Sequence, residues 1–371
     1  MIFFYVLYGV VSTVFAIGGV RLQRAKRMFT YRSSEKSRQA DLPTVSVCMP
    51  ARNESHAMTE SLQRVLASDY EKLEILVADD NSGDKTPALI KAFAHEGVRF
   101  IEVTKPDEGW LGKNHTLNTL LKEASGAYVL FLDVDTHLSP RSISMLVEEA
   151  TQHNAAMVSV LPRREDGIRA STMFAPLRYL WEMTFHQAAS PAVASSAWLI
   201  DRKRFAAAFT DLSKLRHVIQ PEAHIAATFT QQSAYRFIIS TPQLGVSHEK
   251  KWQSQVDTST RLLYPLLGSR VVHVLIAMAD LVILSLPVLL LPLAYFMGGP
   301  AVTTIGVFVY LLGVLVYSLY LRMIWRRGWI VAAALWPIIV LQEACLVARS
   351  AYQYRHGLVT WKGRRIEDAQ K

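Results

Sequence analysis

Cysteine is nearly absent: among 371 residues only Cys48 and Cys345 carry a thiol, which excludes a disulfide framework and a cysteine-rich zinc module. Charge is scarce as well. Asp, Glu, Lys and Arg make up 19% of the chain, below the share of an ordinary soluble domain, while apolar residues reach 51%. A chain of this length can fold one sizeable soluble domain and still have apolar segments left for a membrane. The net charge of +9 at first suggests nucleic acid. The basic residues, however, cluster beside apolar runs instead of forming a stripe of their own, so they read as topology signals and anionic-lipid contacts, with no nucleic-acid partner.

Residues 1–20 form an apolar run long enough to cross a bilayer, and Arg21, Arg24, Lys26 and Arg27 follow at once. The positive-inside rule puts what comes next in the cytoplasm. A cleaved signal peptide is the competing reading. The run lacks a basic n-region and a small-residue cleavage site, which favours an uncleaved anchor. Three more apolar stretches lie at roughly Val271 to Phe296, Val302 to Tyr320 and Trp329 to Val347, with Arg322, Arg326 and Arg327 between the last two. Three crossings would leave the basic tail after Ala348 outside, against the same rule. Either the tail is exported or one stretch, interrupted by Pro287 and Pro292 or by Pro337 and Glu343, does not fully cross. Asp280 and Glu343, inside apolar runs, read first as helix-pairing groups.

From Val45 the pattern changes. Short runs rich in branched residues, Val45 to Met49, Leu73 to Ala78, Val98 to Val103, Tyr128 to Leu132 and Ala156 to Leu161, predict strands. Helical periodicity falls between them, at roughly Met58 to Ala67, Pro87 to Glu96, Lys113 to Lys122 and Pro140 to His153. Such alternation implies an α/β fold, a mostly parallel sheet with helices on both faces, and ligands in such sheets bind beyond the carboxyl ends of the strands.

Polar clusters stand at those ends. Pro50-Ala51-Arg52-Asn53-Glu54 follows the first strand and Asp79-Asp80-Asn81-Ser82-Gly83-Asp84 the second. Each, taken singly, could be no more than a turn leading into a helix cap. Gly109-Trp110-Leu111-Gly112-Lys113 offers glycines for close backbone approach and a lysine for a phosphate, without the spacing of an ATPase phosphate loop. Most informative is Asp133-Val134-Asp135 after the fourth strand. On an extended chain, residues two apart face the same side, and two such carboxylates call for a cation or a shared proton. Oxygen donors of this kind suit Mg2+ or Mn2+ bound together with substrate phosphates. Two solvated acids in a turn are the plain alternative.

In their order and spacing these clusters resemble the family 2 inverting glycosyltransferases, whose fold is the A-type nucleotide-diphospho-sugar transferase fold, over about residues 43–265. Gly109 to Lys113 and the tail His356 to Arg364 are further similar to the bacterial diaponeurosporenoate glycosyltransferases, which glycosylate a carotenoid acid. The resemblance implies an enzyme taking a UDP-sugar, commonly glucose, and a lipid acceptor. Pro50, Ala51, Arg52, Glu54, Asp79 and Asp80 would shape the nucleoside pocket. Lys113 would approach the base or diphosphate, and Asp135, supported by Asp133, would bind the divalent cation. The family's catalytic base has its counterpart at Glu222, in Gln220-Pro221-Glu222-Ala223-His224. Ala223 stands where a second acid is usual, so a proton acceptor of shifted geometry is implied. His217 and His224 are second-rank bases.

The expected organisation is an anchor at 1–20, a basic linker at 21–42, a cytoplasmic catalytic domain at 43–265, a membrane block at 266–349 and a basic tail at 350–371, as a multi-pass cell-membrane protein. Phe174, Leu177, Trp181 and Phe185 share a helical spacing that suggests core packing before acceptor guidance. Trp252-Gln253-Ser254-Gln255 with Arg261 only weakly resembles the motif of processive synthases. A polysaccharide or polyprenyl-phosphate sugar synthase is therefore the second enzymatic reading, and a silent nucleotide-sugar sensor or scaffold the non-enzymatic one.

Overall fold

The structure is a computed structural model that describes residues 1–32, 42–106, 108–165, 169–325, 328–361 and 364–365. Part of the expected linker, Ile168, Arg326, Arg327 and, in the tail motif, Lys362 and Gly363 lie outside the described residues. Packing divides the chain into two units, one of residues 29–163, 186–249 and 362–371 and one of residues 1–28, 164–185 and 250–361.

The first unit is built on β1 (Val45–Ala51), β2 (Leu73–Asp79), β3 (Val98–Glu102), β4 (Tyr128–Leu132), β5 (Thr136–His137), β6 (Met157–Leu161), β7 (Arg163–Arg164), β8 (Ala197–Asp201), β9 (Tyr235–Ile239) and β10 (Ser247–His248). The main sheet runs in the order β3-β2-β1-β4-β8-β6-β9. Its pairs are parallel except where β8 lies antiparallel between β4 and β6. The expected mostly parallel sheet is thus present, with one reversed strand and a further parallel one, β9.

Alternation along β1 sorts the core. Val45, Val47 and Met49 pack to one face with Leu62, Val65, Ile143 and Leu146, while Cys48 turns to the other with Leu117, Leu120 and Phe131. Helices Met58–Leu66 and Ser142–Gln152 accordingly cover one face, and Gly112–Glu123 and Pro221–Gln231 the other. The helix expected at Pro87 to Glu96 is Thr86–Ala92 followed by a 3-10 turn to Glu96, and Gly97, at a positive φ of 89°, ends that turn and leads the chain into β3. Pro50 is tolerated in β1 because pairing with β4 ends at Cys48, so its missing N–H breaks no bond on that side.

In the second unit, helices Ile2–Phe29, Val271–Leu289 and Leu291–Ile324 are long and apolar enough to cross a membrane. The last is interrupted at Gly299, whose φ of 73° is non-helical, with Pro300 next to it. The stretch expected at Trp329 to Val347 is broken at Leu335 into Trp329–Ala334 and Trp336–Arg355, and neither piece is among the three candidate spans. Glu343 there is buried and accepts the Leu177 N–H at 3.1 Å, in keeping with a pairing role.

Residues 164–185 and 250–265, expected within the catalytic domain, pack instead with these helices. Gln255 accepts from the Arg164 guanidinium at 2.9 Å and donates to Ser171 O at 2.8 Å, and Ser350 donates to Thr260 O at 2.6 Å. Buried polar groups need such partners, and here they are found inside this unit. Leu177 is buried, Trp181 stacks on Phe185 at 6.2 Å, and Phe185 is exposed.

Candidate functional site

The order β3-β2-β1-β4 puts a topological switch point at β1: β2 and β3 follow on one side, β4 on the other. Loops leaving the carboxyl ends of these parallel strands therefore emerge along one edge, with neighbouring strands about 5 Å apart. The acidic and basic clusters singled out from sequence lie on those loops.

The loops after β1 and β2 are tied to each other residue by residue. Asp80 N–H donates to Ala51 O at 2.8 Å, and the Arg52 guanidinium donates to Asp80 O and stands 3.7 Å from its carboxylate. Asn53 N–H donates to Ser82 Oγ and Gly83 N–H to Asn53 Oδ1, both at 2.9 Å, and Glu54 N–H donates to Thr86 Oγ1 at 2.8 Å. Asn53 and Asn81 hold φ near +50°, a conformation asparagine accepts more readily than most residues. Asp84 caps the turn: burial works against its ionisation, but hydrogen bonds from Thr86 and Ser55 outweigh it and hold the carboxyl far below its usual range. So the turn-and-cap reading is satisfied, and something remains over. Asp79 and Asp80 are buried, and Asp79 Oδ1 has no hydrogen-bond partner among the described residues. A buried carboxylate oxygen of that kind is costly unless something else donates to it.

Asp133 and Asp135 do not sit on an extended chain as the two-residue alternation assumed. They flank a tight turn closed by Thr136 N–H to Asp133 O at 2.9 Å, and Asp133 N–H is held by Ser196 O at 2.9 Å. The turn joins β4 to β5, so its conformation, not strand pleat, sets where the carboxylates lie. Lys113, in the first turn of helix Gly112–Glu123, donates to Asp133 Oδ1 at 3.0 Å, with both side chains about a quarter exposed, 24% and 25%. The lysine expected at the base or diphosphate thus meets the acid pair.

Three features escaped sequence reasoning. Asn114, buried beside Lys113, donates its side-chain amide to Leu215 O at 2.8 Å, Arg216 O at 3.2 Å and Val218 O at 2.7 Å. Asn118 accepts the Leu212 N–H at 2.9 Å, so one helix holds the whole segment that leads to Glu222. His248 pairs across β10–β5 with Thr136, the residue after Asp135, and is buried. Gly245, at φ 70°, brings its backbone against Ser139, where an added Cβ would stand 1.7 Å from Oγ, and its carbonyl accepts the Ser139 N–H. A lone His, Asn or Gly carries no pairing information in one sequence, which is why none was singled out.

Glu222 occupies the first turn of helix Pro221–Gln231 and is 3% exposed, a position where the helix dipole favours a carboxylate. It stands four positions after Val218, so its Cα lies within about 14 Å of that end of the Asn114 clamp. His217 and His224 are both exposed, which disfavours them as bases held in a fixed pose. Among the described residues no three His, Cys, Asp or Glu side chains gather into a metal cluster. Two carboxylates fit a cation of the Mg2+ or Mn2+ type all the same, since such ions commonly take one or two protein carboxylates and fill their shell with water and phosphate oxygens.

Residues 46–199 match the family described as Glycosyl transferase family 2. That stretch, less than half of the chain, is a domain similar to family 2 glycosyltransferases. That domain is similar to a GalNAc(5)-diNAcBac-PP-undecaprenol beta-1,3-glucosyltransferase of Campylobacter jejuni, 31% identical over 111 residues, covering 30% of this chain and 36% of that one. It is also similar to the UDP-Glc:alpha-D-GlcNAc-diphosphoundecaprenol beta-1,3-glucosyltransferase WfgD of Escherichia coli, 30% identical over 114 residues, covering 31% and 44%. The glycosyltransferase match therefore spans less than half of either relative. A mannosyltransferase, PcManGT from Pyrobaculum calidifontis, solved with GDP-Man and Mn2+, shares the fold with a TM-score of 0.56 at 18% identity, over 94% of this chain and 98% of that one.

Proposed function

We propose that the protein is a membrane-bound inverting glycosyltransferase that moves a sugar, glucose in the simplest case, from a UDP-sugar to a lipid acceptor at the cytoplasmic face of the cell membrane. The observation that carries this reading is the Asp133-Val134-Asp135 turn at the switch-point edge, with Lys113 on it and the interlocked Arg52 and Asp80 loops along the same edge. Relatives of the domain are named for acting on undecaprenol-linked acceptors, which supports a lipid as the recipient. The tail likeness makes a carotenoid acid the first acceptor to try, with other isoprenoid lipids next. A polyprenyl-phosphate or polysaccharide synthase is the alternative within the family.

In this reading Asp79, Asp80 and Glu54 hold the uracil and ribose, with Pro50, Ala51 and Arg52 shaping the pocket. Asp79 Oδ1 accepts from the base. Asp135, with Asp133, would hold Mg2+ or Mn2+, and His248 pairs in strand register with Thr136, the residue after Asp135. A divalent cation bound there supplies charge neutralisation for the departing diphosphate. Lys113 adds a positive charge at the same point. Glu222 takes the proton from the acceptor hydroxyl as oxygen attacks the anomeric carbon opposite the diphosphate, and single displacement inverts that centre. A carboxylate acceptor is already ionised and needs less from the base.

Three candidate spans also suit the topology better than four. With the N-terminus outside and spans at Ile2–Phe29, Val271–Leu289 and Leu291–Ile324, both the catalytic unit and the basic tail fall on the cytoplasmic side. The test is Glu222→Gln in the full-length protein, assayed with several UDP-sugars and a membrane lipid extract by mass spectrometry of the products. UDP-sugar binding is kept and transfer falls roughly 100 to 10,000-fold. Near-normal transfer moves the base elsewhere, and full activity after chelation removes the metal from the scheme.

A further inference from the structure

A groove of about 400 Å³ runs between helix Ile2–Phe29 and helix Leu291–Ile324. Its walls are apolar, Phe15 on one helix facing Leu312, Leu315 and Leu319 on the other. Gly19 lets the helices come near each other at this groove: an added Cβ would stand 3.3 Å from Val316. One end is different, because Gln23, Arg24 and Arg27 line it. From Phe15 to Arg27 the helix rises about 18 Å, close to the roughly 15 Å of one bilayer leaflet.

The basic residues of this helix end are not alike. Arg21 lies over the Phe185 ring at 5.7 Å, and Lys26 also has a partner. Arg24 and Arg27, the two that line the groove, are exposed and have no acidic or hydrogen-bonding partner among the described residues. An apolar channel of leaflet length that ends at two guanidinium groups without an acidic partner among the described residues matches one chemistry: an acyl chain joined to a phosphate. Guanidinium groups bind phosphate oxygens in a bidentate fork, and the cytoplasmic leaflet is where anionic headgroups meet such residues.

We propose that this groove is a binding site for an anionic phospholipid of the cytoplasmic leaflet, with one acyl chain along Phe15 and Leu315 and the phosphate on Arg24 and Arg27. The inference rests on the membrane placement proposed above and is independent of the glycosyl-transfer reading. The lipid fills the gap beside Gly19 and so braces the first span against the third.

The test uses full-length protein in a non-ionic detergent, titrated with dioleoyl phosphatidylglycerol or dioleoyl phosphatidylcholine and read by native mass spectrometry. One phosphatidylglycerol is retained in preference to phosphatidylcholine. The double variant Arg24→Gln/Arg27→Gln weakens that association by about 30-fold, the effect of two charges at an anionic surface. Ala16→Phe, which fills the groove from an exposed wall and leaves both charges, abolishes it, and Arg21→Gln changes it by less than about twofold since that charge is already engaged with a ring. Thermal unfolding of each variant shows that it is folded, and either groove variant alone suffices for the comparison. Equal retention of both lipids, unchanged binding in the double variant, or a bound lipid that gains a sugar mass when UDP-sugar is added overturns the assignment. Release from membranes by alkaline carbonate without detergent sinks the membrane placement itself; an embedded protein that does not bind phosphatidylglycerol sinks this inference alone.

Discussion

Removing the Lys113 charge should separate two binding events that ordinary loss-of-function variants merge. In the structure the Lys113 ammonium stands 3.0 Å from Asp133, so a cation arriving at the acid pair has to compete with it. The gross attraction at that distance is about 5 kcal/mol at an effective dielectric of 20. Desolvation and the ordering of a long side chain leave roughly 1 kcal/mol for a pair this accessible. Lys113→Gln keeps the length and a donor but removes the charge, and should therefore tighten Mn2+ binding in the absence of nucleotide by about fivefold. The donor should respond in the opposite direction. A charge-assisted contact to a diphosphate is worth about 1.5 to 3 kcal/mol, so UDP-sugar binding in the presence of metal should weaken by tenfold or more. Electron paramagnetic resonance of free Mn2+ gives the first quantity and calorimetry the second. If Mn2+ affinity is unchanged or falls, the lysine does not guard the aspartates and the site is built differently.

Further outcomes follow from particular contacts. Asn114→Leu fits the same volume but removes the side-chain donor to Val218 O, while Leu215 O and Arg216 O keep the N–H groups of Val218 and Leu111, and should cost about 1 to 3 kcal/mol in chemical denaturation while raising amide exchange selectively over residues 212–220; uniform exchange would mean that another contact holds that segment. Gly245→Ala meets both the positive φ and the Ser139 side chain and should lower the melting temperature by several degrees, about 2 kcal/mol or more, with Gly245→Asn less harmful than Gly245→Val. Glu74 accepts from Ser46, Ser125 and Arg99. Burial opposes its ionisation, yet those hydrogen bonds hold its pKa below the ordinary value. A depressed folded pKa stabilises above the unfolded value of about 4.3 and loses that contribution as pH falls through the lower, folded one. Wild type should thus lose more melting temperature than Glu74→Gln between pH 6 and about pH 3.

Much of the first unit was legible because the signals are local. Branched runs of strand length alternate with helical periods, and five strands and four helices begin or end within a residue or two of where those periods change. The clusters after β1, β2 and β4 are legible for the same reason, since in a parallel sheet the residues just past each strand must reach the same edge. What eluded the pattern is nonlocal. Ala197–Asp201 is short and follows a Ser- and Ala-rich stretch, and becomes a strand because β4 and β6 present edges on both sides of it. The assignment of residues 164–185 and 250–265 to the helical unit depends on Arg164 meeting Gln255 and Thr260 meeting Ser350, pairs far apart in the chain. The broken helix at Leu335 is intermediate: Pro337 and Glu343 already marked this stretch as one of two candidates for an incomplete crossing, and packing decides where the break falls.

By itself the chain order of residues determined that an α/β domain is coupled to apolar helices, and which acids stand at its strand ends, because hydrophobic period and turn chemistry act over a few neighbouring residues. Only the tertiary structure decided that Lys113 rests on Asp133, that Asn114 holds the approach to Glu222, that His248 lies beside the acidic turn, and that two arginines close an apolar groove. Those are contacts between distant segments, set by how helices and strands pack, and no local pattern specifies them.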